Sequence, residues 1–227
     1  MTATLTAPGI EEQEQHLVLP GFLSWNQYVA ISDALPDWAG LRMIYVDGRL
    51  TLLTTSRRHD RASKRVGQLV VAIADGCGIA WEDSGRATFR REERRGGVEG
   101  DDTFYFGENA ERMSGSQEID LSIPPPPDLA IEVELTHPAD DAMIVYGRLG
   151  VPEVWRINLK REMVGFWSLG DDGTYAPIDR STAFPFLGPG DVLAQLLLAE
   201  PLVASRWHAQ LDGWVRDVLL PRLGGGA

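Results

Sequence analysis

The chain has 227 residues, 44% of them hydrophobic, and a formal net charge of −12, which allows a buried core but argues against nonspecific adhesion to nucleic acid or anionic lipid. The single cysteine, Cys77, excludes an intramolecular disulfide and a cysteine zinc cluster, as is typical of a cytoplasmic protein. The sequence has no secretory signal pattern, and its longest apolar run, LAQLLLAEPLVA, is too short to span a bilayer, so we expect a cytoplasmic protein without membrane association.

The N-terminal quarter predicts a leader, a helix and a hairpin. Residues 1–20 are acidic and predict a flexible leader. The segment SWNQYVAISDAL (24–35) opens with Ser24, a good N-cap, and has apolar residues at helical spacing, so it predicts an N-terminal helix. The dipeptide Asp47-Gly48 then joins two runs rich in β-branched and aromatic residues, which is the strongest short-range signal for a hairpin.

The middle of the chain predicts a helix followed by short strands. Between His59 and Ala74, apolar residues recur at steps of three and four, which predicts an amphipathic helix. The segments IAWED, ATFRR and DDTFYF read as strands separated by glycine-rich turns, and a run of four prolines leads into the strand DLAIEVEL (128–135). The segment 138–150 predicts a helix closed by Gly150.

The remainder predicts two more strands, PEVWRINL and MVGFWSL, and then C-terminal helices with Trp207, Leu211, Trp214 and Val218 on one face. The sum is an α/β fold in which helices flank a mixed central β-sheet. We expect the leader over 1–20, the α/β core with its N-terminal helical arm over 21–170, and a C-terminal loop and helical extension packed on the core over 171–227.

The strand DLAIEVEL has an unusual distribution of charge. Its odd-numbered positions are apolar, whereas Asp128, Glu132 and Glu134 share the alternate face with no basic residue between them. One interpretation is a solvated outer face, and the other is a site that holds a cation. Asp101 and Asp102 head another β segment, and facing carboxylates on neighbouring strands repel each other unless a cation lies between them. Carboxylate oxygens suit a hard divalent ion, Mg²⁺ or Mn²⁺.

Four strings in order, DGRLTLLTTSRRHD, GVEGDDTFYF, PPDLAIEVELTHPADD and YGRLGVPEVWRIN, resemble the Uma-two family of endonucleases, a branch of the restriction-endonuclease-like PD-(D/E)xK nuclease superfamily. The similarity runs from Leu41 to Trp167. The resemblance implies a restriction-endonuclease-like core and metal-dependent hydrolysis of DNA phosphodiester bonds. It assigns Asp101, Glu132 and the backbone carbonyl of Val133 as metal ligands. In the nuclease hypothesis, Glu134 or Asp102 would hold a second ion or an outer-shell water.

The sequence departs from the family at the position of the catalytic lysine. The superfamily places this lysine two residues after the metal-binding acid, where this chain has Glu134, and relatives that carry it in the following helix would place it at Ala142. The only lysines of the chain, Lys64 and Lys160, lie outside both positions. Family members also commonly have a proline before the hairpin aspartate, where this chain has Gly100.

Other cations could replace the lysine. Lys64 or Arg65 on the helix that begins near His59, or Arg148 in the later helix, could reach the site. Ten of the 21 lysines and arginines fall between Arg57 and Arg95, and this basic segment predicts contacts with the DNA backbone. The candidate nucleic-acid-binding residues are His59, Arg61, Arg65, Arg90 and Arg91.

Three functions therefore remain open. The first is a metal-dependent endonuclease, with Asp101, Glu132, Glu134 and Lys64 as candidate catalytic residues, which acts on DNA and, as nuclease folds of this class often do, as a homodimer. The second is a catalytically inactive module of the same fold that binds nucleic acid or a protein, which the missing lysine favours. The third is an acidic interaction protein without a metal, which requires the carboxylates of Asp101 and Glu132 to point apart. The absence of a glycine-rich phosphate loop argues against a nucleotide cofactor.

Overall fold

The computed structural model describes residues 14–35, 40–85, 87–114, 125–135 and 137–224. The strands are β1 (His16–Val18), β2 (Leu41–Val46), β3 (Arg49–Thr54), β4 (Trp81–Asp83), β5 (Thr88–Arg91), β6 (Gly96–Glu99), β7 (Asp102–Phe106), β8 (Leu129–Val133), β9 (Glu153–Asn158), β10 (Met163–Leu169) and β11 (Tyr175–Ile178). The helices are α1 (Trp25–Ala34), α2 (Arg57–Cys77), α3 (Glu108–Met113), α4 (Asp140–Leu149), α5 (Pro189–Ala199), α6 (Ala204–Trp214) and α7 (Leu220–Gly224).

The strands form two sheets, whereas the sequence predicted one. A five-stranded antiparallel sheet has the order β1-β3-β2-β6-β5, and a six-stranded sheet has the order β11-β10-β9-β8-β7-β4. The second sheet is mixed, because β8 and β9 are parallel and are joined through α4, while its other strand pairs are antiparallel. The predicted α/β class with helices flanking a mixed sheet is confirmed, and C-terminal helices are present.

The predicted N-terminal helix and hairpin are both confirmed. Helix α1 begins after Ser24, whose side chain accepts a hydrogen bond from the backbone of Gln27 while the Gln27 side chain accepts one from the Ser24 backbone. The β2–β3 turn places Asp47 and Gly48 at φ values of 50° and 88°, as a two-residue turn that matches the twist of a hairpin requires.

The glycines of Gly96–Glu99 predict a turn, but the structure has strand β6 there. The structure shows why glycine is needed within this strand. A Cβ atom on Gly97 would lie 2.2 Å from the hydroxyl of Tyr28, so only glycine lets α1 pack this closely on the five-stranded sheet. The close approach of a helix, and not a chain reversal, explains the glycine.

The flexible leader predicted over residues 1–20 does not include residues 16–18. Residues 1–13 lie outside the described residues, but His16–Val18 forms β1 and pairs with Thr51–Leu53 of β3. Backbone hydrogen bonds to a neighbouring strand fix this part of the chain.

The six-stranded sheet is covered on both faces. Leu129, Ile131 and Val133 of β8 pack in one core cluster with α2 and the C-terminal helices, including Trp207. Ala130, on the opposite face of β8, packs with α4, which also contacts β2 and β6 of the other sheet. Helix α4 therefore packs against both sheets, and β8 is buried along its whole length.

The C-terminal helical face differs from the predicted one by one residue. After α6 the chain continues as a π-helix (Val215–Leu219), whose turns are wider than those of an α-helix. As a result Val215 and Leu219 are buried in the same core cluster as Trp207 and Leu211, and Val218 is 41% exposed. No helix within the described residues is both long and apolar enough to cross a membrane.

Candidate active site

Strands β7 and β8 bring two carboxylates together. Asp102 pairs with Ile131 in the antiparallel register, so the next pair along places Asp101 opposite Glu132. Both side chains, with Val133, line one cavity of about 60 Å³ at the N-terminal end of α4. This volume has room for a few water molecules or a hydrated ion.

The two carboxylates do not form a solvated outer face. Asp101 is 3% exposed and Glu132 is 7% exposed. Because α4 covers the face of β8 that carries Glu132, this acid is held inside the protein. A buried carboxylate costs free energy unless it is paired or hydrogen-bonded, so the partners of each acid decide its chemical state.

Asp101 has partners on three neighbouring elements. Its carboxylate forms an ion pair with the guanidinium of Arg42 on β2 and accepts a hydrogen bond of 2.6 Å from the backbone amide of Val133. His59 Nε2 lies 3.4 Å from the same carboxylate. The Asp101 backbone carbonyl accepts a hydrogen bond of 3.2 Å from Ser63 of α2. These contacts fix Asp101 between the two sheets and α2.

Glu132 has a different environment. Its carboxylate accepts a hydrogen bond of 2.7 Å from the hydroxyl of Tyr146 on α4. Burial raises the pKa of Glu132 from its ordinary value of 4.5 to about 7, while the positive charge of Arg42 and the Tyr146 hydrogen bond oppose this rise. Burial therefore favours the protonated form of Glu132 up to about neutral pH.

His59 completes the wall of the cavity. Its Nε2 lies 2.8 Å from the carbonyl oxygen of Val133, and since a carbonyl only accepts, Nε2 carries the proton that is donated. Burial, together with the nearby Arg42, lowers the pKa of His59 to about 4, so its imidazole is neutral at pH 7. His59 thus contacts the backbone carbonyl predicted to bind metal, and it adds no positive charge to the site at that pH.

Glu134 lines the same cavity, but its carboxylate already has strong partners. Its Oε1 accepts hydrogen bonds from Arg156 of β9 and from the backbone amide of Ala139, 3.1 Å away at the start of α4. Arg156 also pairs with Asp140 at 3.0 Å. Glu134 thereby links β9 to the first turn of α4, which is a structural use of the position where the superfamily has its lysine.

The structure does not bring Lys64 or Asp102 to this cavity. Lys64 follows His59 by five residues on α2, which turns it about 140° around the helix at 3.6 residues per turn. It lines a separate cavity together with Asp102, Gln68 and His208. The expectation that Lys64 or Asp102 could act beside Asp101 is therefore corrected. Lys64 lies on a different side of α2 from His59, and Asp102 points to the opposite face of the sheet from its neighbour Asp101.

Most candidate cations for DNA or for the missing lysine contact other parts of the protein. Arg61 donates to the backbone carbonyl of Glu200, and Arg65 donates to that of Leu202 while its guanidinium stacks on Trp207 with 4.6 Å between the guanidinium carbon and the ring centroid.

Two of the other candidates, Arg148 and Arg90, form ion pairs away from the cavity. Arg148 forms two hydrogen bonds with Asp47, of 2.6 and 3.1 Å, at the β2–β3 turn. Arg90 pairs with Asp33 of α1 at 3.0 Å, and Arg91 follows it on β5. Neither Arg148, Arg90 nor Arg91 lines the cavity that contains Asp101.

Sequence reasoning missed Arg42 and the contact of Tyr146 with Glu132. The signal for Arg42 was its place in β2, where Arg42, Ile44 and Val46 alternate with Met43 and Tyr45. Ile44 and Val46 pack toward α4, so the arginine on the same face had to be buried and paired. The sequence could not predict that the partner of Arg42 is Asp101, next to the other sheet.

The structure explains why position 100 carries glycine and not the proline common in the family. A Cβ atom on Gly100 would lie 2.3 Å from the hydroxyl of Tyr146, the group that donates to Glu132. A larger residue at position 100 must displace this hydroxyl.

We therefore expect Gly100→Ala to cost about 1–3 kcal/mol of unfolding free energy, as an overpacked site does. In a Tyr146→Phe background, which lacks the hydroxyl, the same change should cost clearly less. Urea unfolding of the four proteins of this double-mutant cycle measures the difference. Equal costs in both backgrounds would show that the hydroxyl is not what excludes a side chain at position 100.

The donor set of the cavity fits a hard divalent ion. The residues described contain no group of three or more His, Cys, Asp and Glu side chains placed to hold a metal. Asp101, Glu132 and Val133 nevertheless line one cavity, and the carbonyl of Val133 lies 2.8 Å from His59 Nε2 in its wall. Mg²⁺ typically takes one or two carboxylates and fills the rest of its shell with water and substrate oxygens, so this set suffices.

Comparisons with known proteins agree with this fold. The model of the Uma2 family, described as "Putative restriction endonuclease", matches residues 25–199. A crystal structure described as a "putative nuclease belonging to DUF820" from Anabaena variabilis ATCC 29413 is 12% identical, has a TM-score of 0.55, and covers 77% of this chain and 99% of its own. That likeness shows a shared fold. Among curated protein sequences, none matches the chain significantly.

Proposed function

The chain belongs to the Uma2 family, described as "Putative restriction endonuclease", and from that premise we propose that it is a metal-dependent endonuclease that hydrolyses phosphodiester bonds in DNA. The observation that carries the proposal is the meeting of Asp101, Glu132 and Val133 in one cavity. Burying two acids on neighbouring strands costs free energy, and acids in such environments cluster at functional sites.

Asp101, Glu132 and the carbonyl of Val133 would hold Mg²⁺ or Mn²⁺. When bound, such an ion supplies a water of lowered pKa and neutralises charge on a phosphate. Other residues of the site fix the positions of these proposed ligands. The Val133 amide positions the carboxylate of Asp101, and Tyr146 positions that of Glu132. His59 positions the Val133 carbonyl.

DNA contacts would come from the basic start of α2. Arg57 and Arg58 are exposed on its first turn, directly before His59 of the cavity wall. Arg90 and Arg91 lie farther away on β5 and would contact the backbone outside the cavity. Contacts of this kind are made to phosphates, so they position the duplex without reading its sequence.

The test is nicking of supercoiled plasmid by the purified protein in Mn²⁺ or Mg²⁺. We expect the wild type to nick and Asp101→Ala to lose about 100-fold or more of this activity, as removal of a group that stabilises transition-state charge does. Asp102→Ala is the matched control, because the adjacent aspartate lines the other cavity and should leave nicking nearly unchanged. Equal nicking by wild type and Asp101→Ala would contradict the proposal.

One observation favours a second function, a module that binds DNA without cutting it. The Arg42–Asp101 ion pair already neutralises one of the two acids, and position 134 carries a glutamate in place of the lysine. This alternative predicts a mobility shift of duplex DNA by a wild type that does not nick in either metal. Nicking that depends on Asp101 excludes it.

A further inference from the structure

Arg42 is a buried cation in the centre of the candidate site. It is 4% exposed, and its guanidinium forms an ion pair with Asp101 across the two sheets. Its charge also acts on Glu132 and His59. Burying a guanidinium costs several kcal/mol before pairing, and a well-packed apolar pair is often at least as stable, so the pair suggests a use other than stability.

Arg42 is the only lysine or arginine among the described residues that line this cavity. The two positions where relatives have a lysine supply no cation here, since one carries Glu134, which accepts a hydrogen bond from Arg156, and the other carries the fully buried Ala142. Lys64 lines the other cavity, and Lys160 is exposed at the turn between β9 and β10.

The ion pair also has a consequence for metal binding. The carboxylate of Asp101 faces the guanidinium, so a divalent cation that uses this carboxylate must compete with a positive charge already there. If a cation also binds the Asp101 carboxylate, some N–H donors of the guanidinium can turn to another acceptor. Its planar fork matches two oxygens of a phosphate.

We infer that Arg42 takes the place of the family's lysine as the cation of the centre. Arg42 pairs with Asp101, and its guanidinium would contact the scissile phosphate where Asp101 holds a divalent cation. This inference rests on the proposed function. Since arginine stays protonated, Arg42 acts by charge and positioning and accepts no proton.

The experiment compares Arg42→Met and Arg42→Lys with the wild type, using Mn²⁺ affinity without DNA and the kinetics of plasmid nicking. Arg42→Met removes the competing charge, so we expect Mn²⁺ to bind about tenfold tighter. Its kcat for nicking should fall by about 100-fold or more, as for removal of one preorganised donor to a developing charge. Arg42→Lys keeps the charge, so its Mn²⁺ affinity should match the wild type and its kcat should lie between the other two.

Arg49→Met is the control, because Arg49 lies in the same sheet as Arg42 but pairs with Asp141, and neither residue of that pair lines the cavity. It should match the wild type in both measurements. If Arg42→Met does not fold, as judged by its thermal unfolding, Arg42→Lys alone tests the role of the planar fork: wild-type kcat in that variant would overturn it.

The outcomes separate the two proposals. A wild type that nicks, with Arg42→Met equal to it in kcat or in Mn²⁺ affinity, overturns the inference and leaves the proposed function standing. A wild type that binds Mn²⁺ without nicking overturns the proposed function and the phosphate role of Arg42. Tighter Mn²⁺ binding by Arg42→Met would then still support its competition with the metal.

Discussion

Glu132→Gln is expected to abolish Mn²⁺ binding and, with it, plasmid nicking. The change leaves Asp101 as the only one of the two proposed carboxylate ligands, and a neutral amide is a much weaker ligand for a hard ion. We expect the Mn²⁺ affinity to fall by about 100-fold or more, as losing a charged ligand in a low-dielectric cavity does. Isothermal titration calorimetry measures the change, and an unchanged affinity would refute the assignment of Glu132 as a ligand.

Glu134→Gln is the matched control for this measurement. It is the same substitution two residues along, in the same cavity, on a carboxylate that is engaged by Arg156 and the backbone of Ala139. We expect Mn²⁺ affinity close to that of the wild type and a moderate loss of stability. A loss of metal binding equal to that of Glu132→Gln would assign Glu134 to the metal site as well.

The same Glu132→Gln variant should be more stable than the wild type at neutral pH. The folded-state pKa of Glu132 is about 7, above its ordinary value of 4.5, so the folded protein keeps a proton that the unfolded chain releases between these values. The stability due to the neutral acid is therefore present below about pH 4.5 and is lost as the pH rises to about 7.

Glutamine cannot ionise, so the variant escapes this loss. Its unfolding free energy should exceed that of the wild type by an amount that grows between about pH 4.5 and pH 7 and reaches on the order of 3 kcal/mol. Urea unfolding at several pH values without metal tests this. A difference that does not change with pH would show that Glu132 is not held neutral by burial.

The second large effect is expected at Trp207. This side chain is fully buried, donates a hydrogen bond of 3.1 Å to the Gln195 carbonyl, and carries the guanidinium of Arg65 on its ring. Trp207→Ala should lower the unfolding free energy by about 3 to 5 kcal/mol, since it leaves a large cavity in the core shared by α2 and the C-terminal helices.

Val218→Ala is the comparison for this stability measurement. The heptad-like spacing places Val218 on the face of Trp207, but the π-helix turns it outward, where it is 41% exposed. We expect a change within about 0.5 kcal/mol, as for surface positions generally. A small effect of Trp207→Ala with two separate unfolding transitions would show that the C-terminal helices unfold apart from the core.

Much of the local structure was determined by the sequence alone. The N-cap at Ser24, the turn at Asp47 and Gly48, and the helix closed by Gly150 follow from short-range hydrogen bonding and from the freedom of glycine at positive φ, so each was readable within a few residues. The alternation of DLAIEVEL gave both its strand and the face that carries Glu132.

The family resemblance added what periodicity could not, namely that Asp101 and Glu132 belong to one motif. In the structure they lie opposite each other, where strands β7 and β8 pair, and both line one cavity. Their assignment as metal ligands stays a prediction until metal binding is measured.

Only the tertiary structure decided the partners of these acids. Arg42 and Asp101 are 59 positions apart on different sheets, and Tyr146 reaches Glu132 because α4 packs between those sheets. Local propensity carries no information about such contacts, because they depend on how the two sheets and α4 are assembled. The same holds for the glycines: Gly97 and Gly100 looked like turn residues, yet each is glycine because a tyrosine hydroxyl from a distant helix occupies the space of its side chain.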